Sequence, residues 1–335
     1  MSNSHRNSHI YLFLITKLLF NRQVLKKIWS LIHQHELLIG LTGFILSFLY
    51  YWYNPNKPIT LSHAIPGLIN WFCVFLIGDW TNRILGEGYV LPRYWRQYFN
   101  FKEIVLASFI MNLISDITGS WLLKLWYYPL FDNPLLYLLI LAPLGYVLFG
   151  FILYVFYRAI KHHFDFAMKK GRLKKSQHLL FKFLIHLQLI AGIIGFALST
   201  QYYYNFVQNN QIIWSAFHQP INAPVQIQFF IMLWFSLFWI FEYLCYRNKK
   251  ETLTRDLIRG NWLPIWAILV SSAVCISLVE FVNAPFQIWI FTNWPFQAAN
   301  FLHIPLVAYL VWPTQYLLLL SLIRLFDKNN SENVW

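Results

Sequence analysis

Eight apolar stretches dominate the chain, centred on residues 36–53, 65–84, 104–126, 134–157, 179–202, 225–246, 264–289 and 305–326. Each is near the roughly 20 helical residues that cross a hydrocarbon core of about 30 Å. Inside such a core every backbone N–H and C=O must be satisfied within the segment, which leaves the α-helix as the form available to isolated apolar runs. With 58% of residues hydrophobic and only 12% charged, there is too little polar surface to wrap a soluble globule. The expectation is an all-α, polytopic integral membrane protein with eight transmembrane helices.

The eight spans fall into two similar sets of four. His35, Leu38 and Ile39, followed by Tyr51, Tyr53 and Asn54, recur as His186, Leu189 and Ile190, followed by Tyr202, Tyr204 and Asn205. Trp71 and Asp79 are echoed by Trp234 and Glu242, and Asp116 and Trp126 by Glu280 and Trp289. A helix carrying Pro134, Pro143 and Tyr146 is echoed by one carrying Pro305, Pro313 and Tyr316. This predicts tandem four-helix repeats over 33–165 and 177–326, facing each other across a pseudo-symmetry axis. Around them lie an arm over 1–32, a basic linker over 166–176 and a polar tail over 327–335.

Charge placement orients the chain. All but Lys57 and Lys124 of the 26 Lys and Arg residues fall on one side of the predicted spans, which puts both termini in the cytoplasm. The net charge of +13 thereby becomes a one-sided belt suited to anionic lipid headgroups rather than nucleic acid. Ile10 to Ile32 mixes Lys and Arg with aliphatics and lacks a small-residue cleavage site, as an in-plane amphipathic helix would. The expected location is the plasma membrane, multi-pass. The oligomeric state is not encoded in any of these patterns.

Ionisable groups at bilayer depth cost about 2.5 kcal/mol or more, so intramembrane acids are the first candidates for a site. Asp79 has Arg83 one turn on and Glu242 has Arg247 just beyond, which suits interfacial ion pairing for these secondary acids. Asp116 and Glu280 have no basic residue within a turn and lie nine or ten residues before an interfacial Trp, Trp126 or Trp289. The kinks expected at Pro143 and Pro313 fall at a similar depth, where a freed carbonyl or the hydroxyl of Tyr146 or Tyr316 could accept from a protonated carboxyl. Asp116 and Glu280 are therefore the candidate catalytic acids; Tyr146, Tyr316, Pro143, Pro313, Trp126 and Trp289 are the candidate binding residues. The same arrangement also suits an interhelical clamp.

Several chemistries lack their signatures. There is no Gly-rich phosphate loop, no aspartate-rich diphosphate motif, no histidine box and no paired cysteine spacing among Cys73, Cys245 and Cys275. No cofactor or metal is expected. His162, His163, His218 and His303 read as interfacial or packed side chains.

The order Asp116, Trp126, Tyr128, Pro129 and Pro143-Leu144-Gly145-Tyr146, with Glu280, Trp289 and Pro305-Leu306-Val307-Ala308-Tyr309 in the second copy, resembles the small membrane lycopene cyclase domain of fungi and some bacteria. That resemblance implies a tandem helical membrane fold, an apolar isoprenoid ligand and acid-initiated chemistry. The paired glutamates that follow Pro-Leu in that family are here Gly145 and Tyr146, and Val307 and Ala308, so Asp116 and Glu280 alone correspond to its acids.

Three functions fit the pattern: a mid-bilayer site that binds an apolar lipid or isoprenoid and acts on it by proton transfer, as an isomerase or cyclase would; a proton-coupled carrier whose halves rock about one interface; and a non-catalytic membrane scaffold. Sparse Asn, Gln, Ser and Thr within the spans favour the first over the second.

Overall fold

The computed structural model describes residues 32, 34–54, 61–85, 101–128, 142–165, 174–210 and 225–327. The expected in-plane helix, the arm, most of the basic linker, Pro134, His218 and nearly all of the tail lie outside the described residues.

Of the described residues of the chain, 82% are helical. Its helices are α1 (Glu36–Tyr53), α2 (Leu61–Ile84), α3 (Phe101–Ser115), α4 (Ala142–Asp165), α5 (Lys175–Asn209), α6 (Ile227–Arg247), the short α7 (Leu253–Ile258), α8 (Leu263–Phe286) and α9 (Leu306–Phe326). A seven-residue π-helical segment, Asp116–Leu122, continues α3. Among the described residues, four two-residue strands complete the order: β1 (Trp126–Tyr127), β2 (Ile290–Phe291), β3 (Asn300–Phe301) and β4 (Ile304–Pro305).

Among the described residues, seven helices are long and apolar enough to cross a membrane: all of these except α2 and α7, with α3 counted together with its π-helical extension. The 24-residue α2 fills the stretch expected as the second of eight spans but is not among these seven; it carries Asn70, Asp79, Asn82 and Arg83. Those polar groups face protein: Asn70, Asp79 and Asn82 are buried, and Asn82 donates to the Val155 carbonyl at 3.0 Å.

The peripheral helices turn apolar side chains outward. Leu38, Ile45, Leu46 and Trp52 on α1, and Leu179, Phe183, Ile190, Ile193 and Ile194 on α5, are all exposed, the distribution expected where the solvent is hydrocarbon. The 35 residues of α5 correspond to roughly 52 Å of helix, longer than the core it would cross.

Glycines set the inner contacts of both. A Cβ on Gly40 would sit 3.2 Å from the Cys73 carbonyl of α2, and one on Gly192 would sit 3.0 Å from the Ser236 carbonyl of α6. Close approach of this kind is how helices associate without a hydrophobic drive.

The packing order runs in parallel through the two halves. As α1 packs on α2 and α2 on α4, so α5 packs on α6 and α6 on α9. Across the middle, α4 packs on α8 while α9 packs on α3. Strands β1 and β2 pair antiparallel, Trp126 opposite Phe291 and Tyr127 opposite Ile290. The seam is fastened further by Thr292 N–H to the Leu125 carbonyl (2.8 Å), Thr292 Oγ1 to the Lys124 carbonyl (2.6 Å) and Trp294 Nε1 to the Leu125 carbonyl (2.8 Å). The core lies between α2, α4, α6, α8 and α9, with Tyr154, Tyr157, Trp234 and Tyr316 almost fully enclosed.

Candidate functional site

A partly open cavity of about 190 Å³ lies where the two halves meet. Aromatic rings make most of its wall: Trp71 from α2, Trp126 from β1, Trp289 just before β2, and Trp312 from α9. Trp71 meets Trp289 edge to face at 6.1 Å, so the two halves share one aromatic surface. The polar lining is small and consists mainly of Asn112, Ser115, Asp116, Tyr128, Tyr146 and Gln315. No Lys, Arg or His is among the described lining residues.

Asp116 is the first residue of the π-helical segment, where the helix widens. Such segments recur at functional sites because they re-aim side chains that a regular helix would hold in its own packing. Three donors converge on its carboxyl: Trp126 Nε1 at 3.2 Å and Tyr128 OH at 3.0 Å on Oδ1, and Tyr146 OH on Oδ2. Gly119 makes this possible. Any Cβ there would overlap the Trp126 ring, so a larger residue would push the indole off the carboxyl.

Glu280 is held differently. It is fully buried in α8, accepting from Trp289 Nε1 at 2.9 Å and from Asn283 Nδ2 at 2.7 Å. Asn283 in turn binds the Trp289 backbone through both its oxygen and its nitrogen, at 3.0 Å each. Glu280 does not line the cavity; it stands behind Trp289, which does. In both halves the donors point into the carboxyl, whereas the sequence reading has the carboxyl donating to a neighbour.

The remaining sequence candidates divide. Tyr146, Trp126 and Trp289 come together at the cavity with Asp116. Tyr316 does not: it lies fully buried beside Cys275 and Ser271, and Tyr309, one residue beyond Ala308, is the tyrosine that comes within electrostatic reach of Glu280. Helical geometry explains the exchange, since seven residues further along α9 is about 10 Å along its axis. Pro313 sits in the interior of α9 but off the cavity wall. Pro143 is the second described residue of α4, so the turn it would kink lies outside the described residues.

The secondary acids are both fully buried. Glu242 does not pair with Arg247. It accepts from Leu253 N–H (3.2 Å), Thr254 N–H (3.0 Å) and Thr254 Oγ1 (3.1 Å), tying the start of α7 to α6. Asp79 is hydrogen-bonded to Glu36, on which Arg83 acts electrostatically.

Four polar residues of the site escape the sequence reading. Asn112 lies four residues before Asp116 and Asn283 three residues after Glu280, so one-turn spacing could have found both. Ser115 and Gln315 come from different halves and meet at 3.0 Å, a contact that no local pattern announces.

No family model, curated protein or solved structure matches the chain.

Proposed function

We propose that this protein spans the membrane eight times, with α2 as the eighth helix, as two four-helix repeats whose termini are cytoplasmic. In this reading the cavity at their interface binds an apolar lipid or isoprenoid in the plasma membrane. The single observation that carries the reading is a largely aromatic cavity, contributed by both halves, with one carboxyl in its wall. Ligand sites of this kind are mostly apolar with a few convergent polar groups.

An even number of spans per repeat gives both halves the same orientation, so the axis relating them runs along the membrane normal. The parallel packing order and the β1–β2 pairing are what such an axis would produce.

Chemistry at the site centres on Asp116 and Tyr146. Their hydrogen bond offers a route for a proton between the carboxyl and a ligand held against the tyrosine, which is the geometry an isomerase-type step requires. Where the cyclase-like resemblance expects paired glutamates, Gly145 and Ala308 instead line the cavity as small residues, leaving room for a ligand. Binding is therefore the primary reading and proton transfer the secondary one.

The test is extraction and mass spectrometry of apolar molecules retained by the purified protein. The wild type should retain a hydrocarbon-rich molecule near one per chain, and Gly145→Phe, which fills the cavity beside Trp71, should lose it. Equal retention by both, or none in the wild type, would contradict the proposal.

A further inference from the structure

The polar groups of the cavity are unequal in kind. Asn112 commits both hydrogens of its amide nitrogen to protein, one to the Ser108 carbonyl at 2.9 Å and one to the Tyr146 carbonyl at 3.0 Å. Gln315 directs its amide nitrogen to Ser115 Oγ. Both residues line the cavity, and among the described residues no donor reaches either side-chain carbonyl oxygen. Neither oxygen is sealed into packed protein without a partner, in contrast to Asn70 Oδ1 and Asn82 Oδ1 on α2.

Two acceptors therefore stand open beside Asp116, whose own oxygens are already taken by Trp126, Tyr128 and Tyr146. A ligand that buries them without supplying a donor leaves them unpaired, at a cost of about 1–3 kcal/mol each. An anionic headgroup fares worse, because it would meet a carboxyl and two carbonyl dipoles of its own sign with no cation in the wall.

We infer that the ligand is a long-chain or isoprenoid alcohol whose hydroxyl donates its one hydrogen to the side-chain oxygen of Asn112 or of Gln315, while its chain lies among Trp71, Trp289 and Trp312. This rests on the apolar-ligand reading above and narrows it to neutral lipids with a hydroxyl head. Fatty acids, phospholipid headgroups and prenyl diphosphates are the wrong class. At about 190 Å³ the cavity takes the head and the first few carbons of the chain, and its open part lets the remainder leave toward the bilayer.

The experiment is a scintillation proximity assay with tritiated farnesol on the full-length, detergent-purified protein, in competition with unlabelled farnesol, farnesyl methyl ether and farnesoic acid. Farnesol should compete at least about tenfold better than the ether, the equivalent of one lost hydrogen bond, and better still than the acid. In Asn112→Leu the preference over the ether should shrink severalfold while binding persists. The wild-type comparison stands even where that variant fails to fold. If ether and alcohol compete equally, or the acid competes best, the hydroxyl assignment is overturned and the apolar cavity survives; if farnesol does not bind at all, both fall together.

Discussion

Asp116 and Glu280 hold matching places in chain order and different places in space. Asp116 faces the cavity and gathers three side chains from two segments, whereas Glu280 braces a tryptophan from behind. Asp116→Asn should therefore weaken ligand binding by about tenfold or more, because the new amide must turn a donor toward groups that already donate. Glu280→Gln should leave binding within a few-fold and show its effect in thermal stability, since it removes a buried acceptor from Trp289 and Asn283, a loss of about 1–3 kcal/mol. Parallel titration and melting of the two variants separates these outcomes.

Lys124 is the other residue whose environment makes a sharp prediction. Its side chain is buried, its Nζ has no partner among the described residues, and its backbone is left-handed at φ 53°. Burial pushes its amine below the usual lysine range. A lysine with a folded-state pKa below its unfolded one destabilises the fold fully while both states are charged, and less as pH rises toward the ordinary lysine value. Lys124→Met should accordingly raise the melting temperature at neutral pH, by the equivalent of about 1–3 kcal/mol, with the gain shrinking above the lowered pKa. A gain that is flat or grows with pH would contradict this account.

At the scale of elements, the sequence was most legible where the bilayer dictates the answer. Long apolar runs became helices because no other backbone form is satisfied in hydrocarbon. The π-helical turn was not legible, because nothing in DITGSWL distinguishes it from a continued α-helix until Trp126 has to reach Asp116. Nor was the place of Tyr316, since proline spacing pointed to the cavity and the residue lies fully buried beside Cys275 and Ser271. Gly119 is the residue on which the turn depends. Gly119→Ala should displace Trp126, lower binding severalfold and change the fluorescence of that indole, while Gly43→Ala, far along α1 from the cavity wall, should spare binding.

At the scale of the molecule, the seam joins the halves by few but specific contacts: β1 with β2, Thr292 and Trp294 with the 124–125 backbone, and Gln315 with Ser115. Composition and periodicity are silent on which loops pair, because that depends on contacts more than 160 residues apart. Tyr127→Cys with Ile290→Cys places two thiols at directly opposed strand positions and should cross-link within one chain under mild oxidation, with binding retained. A cross-link forming only between chains would mean that the halves exchange between protomers.

The central claim, an apolar ligand held between the halves, is tested most directly by an experimental structure of the protein purified from its native membrane. Elongated density among Trp71, Trp126, Trp289 and Trp312, ending within hydrogen-bond reach of Asn112 and Gln315, is the predicted result. A cavity closed by side chains, or filled only by a chain of ordered waters leading to Asp116, would contradict it.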